Sequence, residues 1–341
     1  MKRKIKAAVL CPDPHDSTSL YRGVGPWETL GRFFNNDLDV TIYTTEKIKP
    51  IDWAIMLSSD VVIMQRAFTP FHLNQIKGFK NMGKKIILDY DDDLFHVQHD
   101  NKVFRNYMNE SVQKSLIEMA NLSDAIIVST KSIAETYKEK TGIECKLIKN
   151  GYIEEMFEHY WVKRPEKKPL ITWRGTDSHY NDLLQVKNEI NELSDENPNY
   201  TWQFVGWHPP YLMESENPKY KSLGFDIINF QKYIHECGGS IGIVPLIDNK
   251  FNRGKSNIAF MEMVSSGHVC LAQDLPEFSE CGAITFKDPK DFKDKMTWIM
   301  RITDDEREVL WTKQFQSLRA FYGLHKVNYK RLDLLKSIVR I

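Results

Sequence analysis

Short runs rich in isoleucine and valine alternate along this chain with longer segments of helical period, and this alternation limits the fold more than any single motif. Residues 4–10 (KIKAAVL), 39–44 (DVTIYT), 60–65 (DVVIMQ), 84–89 (KKIILD), 124–129 (DAIIVS) and 145–149 (CKLIK) read as strands. Near-continuous apolar runs of this length suit strands buried on both faces, as in parallel sheets. Helix patterns lie between them near 26–36, 70–82, 102–122 and 130–141. Strand, helix, strand in repetition implies a doubly wound parallel sheet.

The segment 150–169 (NGYIEEMFEHYWVKRPEKKP) is charged, holds two prolines and has no clean period, so it reads as a linker. The alternation then restarts. Strands are expected at 170–175, 200–206, 225–230, 240–246 and 268–273, with helices near 180–194, 229–237, 255–266 and 288–302. The tail from about 304 to 341 reads as helical, interrupted near Gly323. The expectation is therefore an α/β chain of two tandem Rossmann-like domains, 1–150 and 169–303, joined by a linker at 151–168. The C-terminal helices 304–341 are expected to cross back onto the first domain, and ligands are expected in a cleft between the two α/β halves. A length of 341 residues accommodates two such domains.

Composition removes several function classes. Lys and Arg balance Asp and Glu at 46 each, so the chain as a whole lacks the electrostatic footprint of a nucleic-acid or membrane binder, although a local basic face is allowed. The five cysteines are scattered without a C-x-x-C, which argues against a disulfide framework or a cysteine zinc site and suits a reducing cytosol. No run approaches the length of a membrane-spanning helix, and the apolar stretch AAVLC near the start is too short for a signal peptide. A cytoplasmic location is expected.

Three stretches carry chemistry. In FNRGKSNIAFME (251–262) a polar, basic loop opens into a helix, whose free N–H groups and positive dipole end favour an anion. Lys255, Ser256 and Asn257 stand at that end, and Glu262 returns to the face of Lys255 seven residues later, an order suited to a nucleoside diphosphate with the acid on a ribose hydroxyl. The plain alternative is an amphipathic helix with a solvated glutamate. In LITWRGTDSHYNDL, Arg174 and Gly175 end a strand, and an arginine there grips a diphosphate or pairs with a neighbouring carboxylate. After the first strand, a long turn with Arg22, Gly23 and Gly25 leads to Pro26 and Glu28, a phosphate-binding design lacking the third glycine of G-x-G-x-x-G.

Together these pieces resemble the GT-B glycosyltransferases, in particular the retaining family-four type and its phage and bacterial relatives. The resemblance rests on YRGVGPWETL (21–30), LDYDDDLF (88–95), SDAIIVSTKSIAETY (123–137), KNGY (149–152), WRGTDSHYNDL (173–183), FVG (204–206) and IGIVPLIDNKFNRGKSNIAFMEMVSSGHVCLA (241–272), in the family's order and over nearly the whole chain. It implies that Arg174 and Lys255 hold the donor diphosphate, that Glu262 meets the donor ribose, and that backbone amides at Gly23 and Gly25 face the sugar phosphate or the acceptor. The donor set extends to Gly175, Asn252, Arg253, Ser256 and Asn257. The chain departs from the family pattern at Gly254, where the first acid of E-x7-E would stand, and at His179, where Arg-x4-Lys would place its lysine. Asp248, Asn252 or Arg253 are then the candidates to replace the missing acid.

The acidic run Asp89, Asp91, Asp92, Asp93 ends the fourth strand. It reads either as acceptor recognition, with Asp92 or Asp93 aiding deprotonation of a hydroxyl, or as a helix N-cap at Asp93. Arg22, Asp91 and His96 complete the expected acceptor side. The implied activity is transfer of a sugar from a nucleotide-diphosphate sugar, as co-substrate, to a hydroxyl with retention at the anomeric carbon. No metal or obligatory cofactor is implied. The acceptor is a saccharide or glycan, or hydroxymethylated pyrimidine in phage DNA, the latter implied by the resemblance to phage relatives and by the basic and aromatic stretches 159–169 and KYK (219–221); a phage-encoded enzyme would act in the host cytoplasm. Two rivals are a nucleotide-sugar 2-epimerase and a non-catalytic module that binds a nucleotide sugar or glycan.

Overall fold

A computed structural model describes residues 3–13, 16–44, 50–101, 103–155, 166–212, 218–221 and 227–339. The chain divides into two compact units, Met1–Gly151 with Gly323–Ile341, and Tyr152–Tyr322.

The first unit holds six parallel strands: β1 (Ile5–Cys11), β2 (Leu38–Thr44), β3 (Val61–Gln65), β4 (Lys85–Tyr90), β5 (Ala125–Val128) and β6 (Lys146–Leu147), in the order β2-β1-β3-β4-β5-β6. Side chains alternate across a strand, so each strand feeds two cores. Ala8, Leu10, Val62, Met64, Ile86, Leu88, Ile126 and Val128 face one way, against Leu73, Ile76, Phe79, Leu116, Met119, Ile133 and Tyr137. Ile5, Ala7, Val9, Val61, Ile63, Ile87 and Ile127 face the other way, against Trp27, Leu30, Val327 and Leu335. Each large apolar side chain fully buried here contributes roughly 1.5–3 kcal/mol, which explains why the strands read as continuous Ile and Val runs.

Helices cover both faces, and local capping sets their starts. Thr69 caps Pro70–Asn81, Asn109 caps Glu110–Leu122 and Thr130 caps Lys131–Thr141, each accepting a backbone N–H of the first turn. Asn109, extended at ψ 150°, also explains why the single helix expected over 102–122 is two, Phe104–Tyr107 and Glu110–Leu122. The helix Pro50–Ser58 has no counterpart in the sequence reading.

The second unit repeats the plan with β7 (Lys168–Gly175), β8 (Thr201–Gly206), β9 (Pro218–Lys221), β10 (Gly239–Val244), β11 (Val269–Gln273) and β12 (Ile284–Phe286) in the order β12-β11-β10-β7-β8-β9. The chain runs outward from β7 through β8 to β9, then returns to β7's other side with β10. Doubly wound folds place ligands at the carboxyl ends of the strands where the order reverses, here β7 and β10. The strand expected over 225–230 is corrected: residues 225–226 lie outside the described residues, and Ile227–Glu236 is helical. Its buried positions Gln231, Ile234 and His235 follow a helical spacing, whereas a strand would alternate. The edge position belongs to β9, whose proline sits at the first residue of an edge strand, where no ladder donor is needed. Of the expected linker 151–168, residues 156–165 lie outside the described residues.

The two last helices belong to different units. Asp304–Tyr322 packs on the second, with Trp311 Nε1 donating to the Val264 carbonyl at 2.7 Å and Gln314 bonding both the N–H and the C=O of Cys270. Leu324–Val339 completes the first, where Asn328 Nδ2 donates to the Pro26 carbonyl at 2.9 Å. Among the described residues, no helix is long and apolar enough to cross a membrane.

Candidate functional site at the strand ends

In the second unit, Arg174 and Gly175 end β7, opposite Val205 and Gly206 of β8. The backbones approach closely there. A Cβ on Gly206, whose φ is +99°, would lie 2.4 Å from the Gly175 carbonyl oxygen, and one on Gly175 would lie 2.6 Å from the Trp173 ring. The Arg174 guanidinium pairs with the Glu262 carboxylate. Glu262 is 1% exposed, whereas Arg174 remains 19% exposed, and its Nε has no hydrogen-bond partner among the described residues. A buried carboxylate thus holds a partly exposed cation with donor capacity to spare, at the carboxyl end of the strand beside the chain reversal.

The loop after β10 is latched from beneath. Asp182 Oδ1 accepts the Ile247 N–H and Asn252 Nδ2, both at 2.8 Å, while Oδ2 meets His179 Nδ1 at 2.8 Å. Asn252 Nδ2 also donates to the Ile247 carbonyl at 2.9 Å. Asn252, expected on the donor, is instead buried and spent on this latch, which corrects that expectation. Arg253 forms a bidentate pair with Asp248, both well exposed, so two of the three residues considered as replacements for the acid missing at Gly254 occupy each other.

Lys255 is also placed differently from the sequence reading. The helix carrying Glu262 is Ile258–Ser265, preceded by a separate turn of helix at Lys250–Arg253. Lys255 lies in the break, so the helical-face argument linking it to Glu262 does not apply. Its ammonium stands 4.6 Å from the Phe251 ring centroid. Asn257 is the buried N-cap position and Ser256 is half-buried beside it. Glu262, fifth in its helix, comes one turn in rather than two.

In the first unit, the expected glycine loop is a π-helix, Ser19–Val24, running into Gly25–Phe33. This corrects three residues. The Gly25 N–H bonds the Leu20 carbonyl, so it is not offered to a phosphate. Gly23 is buried, and a Cβ there would lie 2.8 Å from Cys11 Cβ, so its glycine serves close packing on β1. Arg22, expected on the acceptor, is fully buried: Nε donates to Asp89 Oδ1 at 2.7 Å, and the NH1 nitrogen to the Ile148 carbonyl and Asn150 Oδ1. Arg331 of the last helix is buried nearby. Burial, with the neighbouring Arg22, pushes its pKa down to about 9 against the opposing pull of Asp89.

The acidic run splits. Asp92 forms an ion pair with Arg66, and Asp91 lies 3.7 Å from the same guanidinium. Burial works against the Arg66 charge, but Asp91 and Asp92 outweigh it and raise its pKa. Arg66 has φ +56°, the one positive-φ non-glycine among the described residues, and strained backbone of this kind concentrates at functional sites. The sequence reading passed over it; its signal is an arginine immediately after β3, whose register places it beside the acids ending β4.

Asp93 is fully buried. Its Oδ1 accepts the Phe95 N–H at 3.0 Å, and its Oδ2 meets Thr136 Oγ1 at 3.0 Å and His96 Nδ1 at 2.9 Å. A carboxylate so committed does not remove a substrate proton, which corrects its expected catalytic role. It caps a turn rather than a helix, and it fixes the ring of His96, whose side chain is 20% exposed. An ionised carboxylate only accepts, so the ring meets it through Nδ1–H.

No family model and no curated protein matches the chain. Solved structures do. A glycosyltransferase from Rickettsia africae ESF-5 superposes with a TM-score of 0.66 at 12% identity, covering 99% of both chains. HepE from Anabaena, solved with UDP and glucose, gives 0.67 at 10% identity over 98% of this chain and 100% of its own. A UDP-forming trehalose-phosphate synthase from Burkholderia xenovorans gives 0.60 at 12% identity over 92% of this chain and 83% of its own. The fold is that of the GT-B glycosyltransferases. At these identities the likeness establishes architecture, and activity must be argued from the residues.

Proposed function

We propose that this chain transfers a sugar from a nucleoside-diphosphate donor to a hydroxyl acceptor, with retention at the anomeric carbon. The observation that carries the reading is Arg174, held at the end of β7 by the buried carboxylate of Glu262 with donor capacity left over. A departing diphosphate gains charge as the glycosidic bond breaks, and a prearranged cation stabilises that change without reorganising at the moment of reaction. Arg174 supplies this cation and Lys255 a second. Glu262 orients the guanidinium, and its own oxygen reaches a donor ribose hydroxyl once Arg174 turns to phosphate. Gly175, Ser256 and the N–H groups near Asn257 complete the donor side. That HepE was solved with UDP supports a uridine donor.

On the acceptor side, Asp91 and Asp92 accept hydrogen bonds from hydroxyls beside Arg66. A carboxylate already paired with a guanidinium suits this better than proton removal. His96, oriented by Asp93, is the group placed to take the acceptor proton.

The experiment is a thermal-shift screen of nucleotide sugars, followed by a transfer assay. A donor present at about 100 times its Kd raises stability by about 2.7 kcal/mol. Stabilisation by no nucleotide sugar would sink the reading. Consumption of donor without any acceptor would mark an epimerase, and binding without turnover a non-catalytic module.

A further inference from the structure

The donor side holds a group that the reading above leaves unused. His179 ends the short turn Asp177–His179 that follows β7. One edge of its ring faces the strand end, since a Cβ on Gly175 would lie 3.2 Å from His179 Cδ2. Glycine leaves the backbone bare there, between the Trp173 ring and the imidazole, so a ligand held by Arg174 can approach it closely. The Trp173 and His179 centroids lie 6.4 Å apart. The imidazole is fixed from behind. Buried Asp182 meets its Nδ1 at 2.8 Å, and the other Asp182 oxygen is itself held by the Ile247 N–H and Asn252 Nδ2. An ionised carboxylate only accepts, so this contact runs through Nδ1–H. The second nitrogen, Nε2, is bonded to Cδ2 and has no hydrogen-bond partner among the described residues; the side chain is 23% exposed.

Charge decides what Nε2 can do. With Nδ1–H committed to Asp182, a neutral ring has only a lone pair at Nε2, whereas a charged ring has a second N–H to give. Phosphate oxygens accept, and they bond most strongly to charged donors. The groups around the ring are few. Its own turn and the helix that follows carry Asp177, Tyr180 and Asp182, of which Asp182 touches it. Beyond Gly175 stands Arg174, paired with Glu262. The loop after β10 presents the uncharged Ile247 and Asn252 to Asp182. Tyr211, after β8, is kept neutral, because burial, Tyr180 and Asp182 raise its pKa. We propose that His179 is a further cation of the donor site, donating in its charged form through Nε2 to the diphosphate beside Arg174, so that donor binding weakens as pH rises through neutrality. This rests on the donor reading and adds a regulation to it: imidazole is the side chain that changes charge across neutral pH.

The test titrates the full chain with UDP by calorimetry at pH 6 and pH 8. The parent is compared with His179→Lys, charged at both values, and His179→Gln, charged at neither. The terminal phosphate of UDP loses a proton over this interval, its pKa being about 6, and that change favours a cationic site, so the ligand's own titration works against the expected fall. At pH 6 the parent and His179→Lys bind alike, and His179→Gln binds about tenfold more weakly. From pH 6 to pH 8 the parent loses about tenfold in affinity relative to His179→Lys and approaches His179→Gln. The inference is overturned if His179→Gln binds as tightly as the parent at pH 6, if His179→Lys binds no better than His179→Gln, or if the parent and His179→Lys respond alike to pH. A variant that melts below the parent is set aside, and the pH response of the parent against the other variant decides. Each of those results leaves UDP bound and the donor reading intact, whereas absence of UDP binding to the parent at both pH values would refute the donor reading and this inference with it.

Discussion

Each unit sets a guanidinium against a carboxylate near the end of a parallel sheet, and the two pairs differ in how far they are sealed. Arg22 and Asp89 are both fully enclosed, and Arg22 spends its donors on Asp89, Ile148 and Asn150. Arg174 and Glu262 have the same chemistry, but the arginine keeps 19% of its side chain exposed. The residue type is the same, and accessibility is what separates them. A sealed pair contributes to stability, and removing one member leaves an uncompensated buried charge. An open pair retains an unused direction for a ligand.

The comparison is broken most directly at Arg22. Arg22→Ala strands Asp89, and urea unfolding is expected to report a loss of about 3–5 kcal/mol. A variant that stays as stable as the parent but loses activity would place Arg22 on the substrate after all. Next comes Arg174→Ala, where turnover is expected to fall about a hundredfold, or about 3 kcal/mol in barrier, with the melting temperature less affected than by Arg22→Ala. Unfolding without a specific loss of donor affinity would make this pair as structural as the other.

A third test uses the opposite, amino end of the second sheet. There His268 is sealed against Thr172 Oγ1 at 3.0 Å, and burial, helped by Lys167, pulls its pKa down to about 3. The unfolded chain binds that proton near the ordinary histidine value of about 6.5, so between these values the unfolded state holds more protons and stability falls as pH falls. At about pH 5 the expected loss relative to pH 7 is about 2 kcal/mol, and His268→Gln should flatten that slope in denaturant titrations at the two pH values. The smallest effect is expected from Thr136→Val, which removes one donor from Asp93. A loss of about 1 kcal/mol with His96-dependent turnover retained would sharpen the view of Asp93 as a support; a large fall in turnover would reopen it as a participant.

Much of this was legible in sequence because it is local. The Ile and Val runs located the central strands of both sheets to within a residue or two, since buried parallel strands leave little choice of side chain. Arg174 and Glu262 are both expected in one donor site, Arg174 beside Lys255; the structure instead pairs Arg174 with the Glu262 carboxylate, the plain alternative for that arginine. The failures came where local signals compete or distant residues decide. GKSN holds two good capping residues, and the helix starts after them at Ile258 instead of at Lys255. FDIINF has strand composition, but the buried positions beyond it follow a helical period. The glycines at 23 and 25 resemble a phosphate loop, and only the packing against Cys11 reveals why residue 23 is small. Nothing near Arg22 in sequence announces that Asp89, 67 residues away, seals it.

The helix Leu324–Val339 closes the first unit although the whole second unit is translated before it. Asn328 and Arg331 therefore reach the core around Pro26 and Arg22 last. On the ribosome, the second unit has all its strands in hand while the first still waits for its final layer. A premature stop anywhere before residue 323 would leave the first unit's apolar face of Ile5, Val9 and Trp27 uncovered by Val327 and Leu335, so nascent-chain quality control should be far more sensitive to C-terminal truncation than the tail's position suggests.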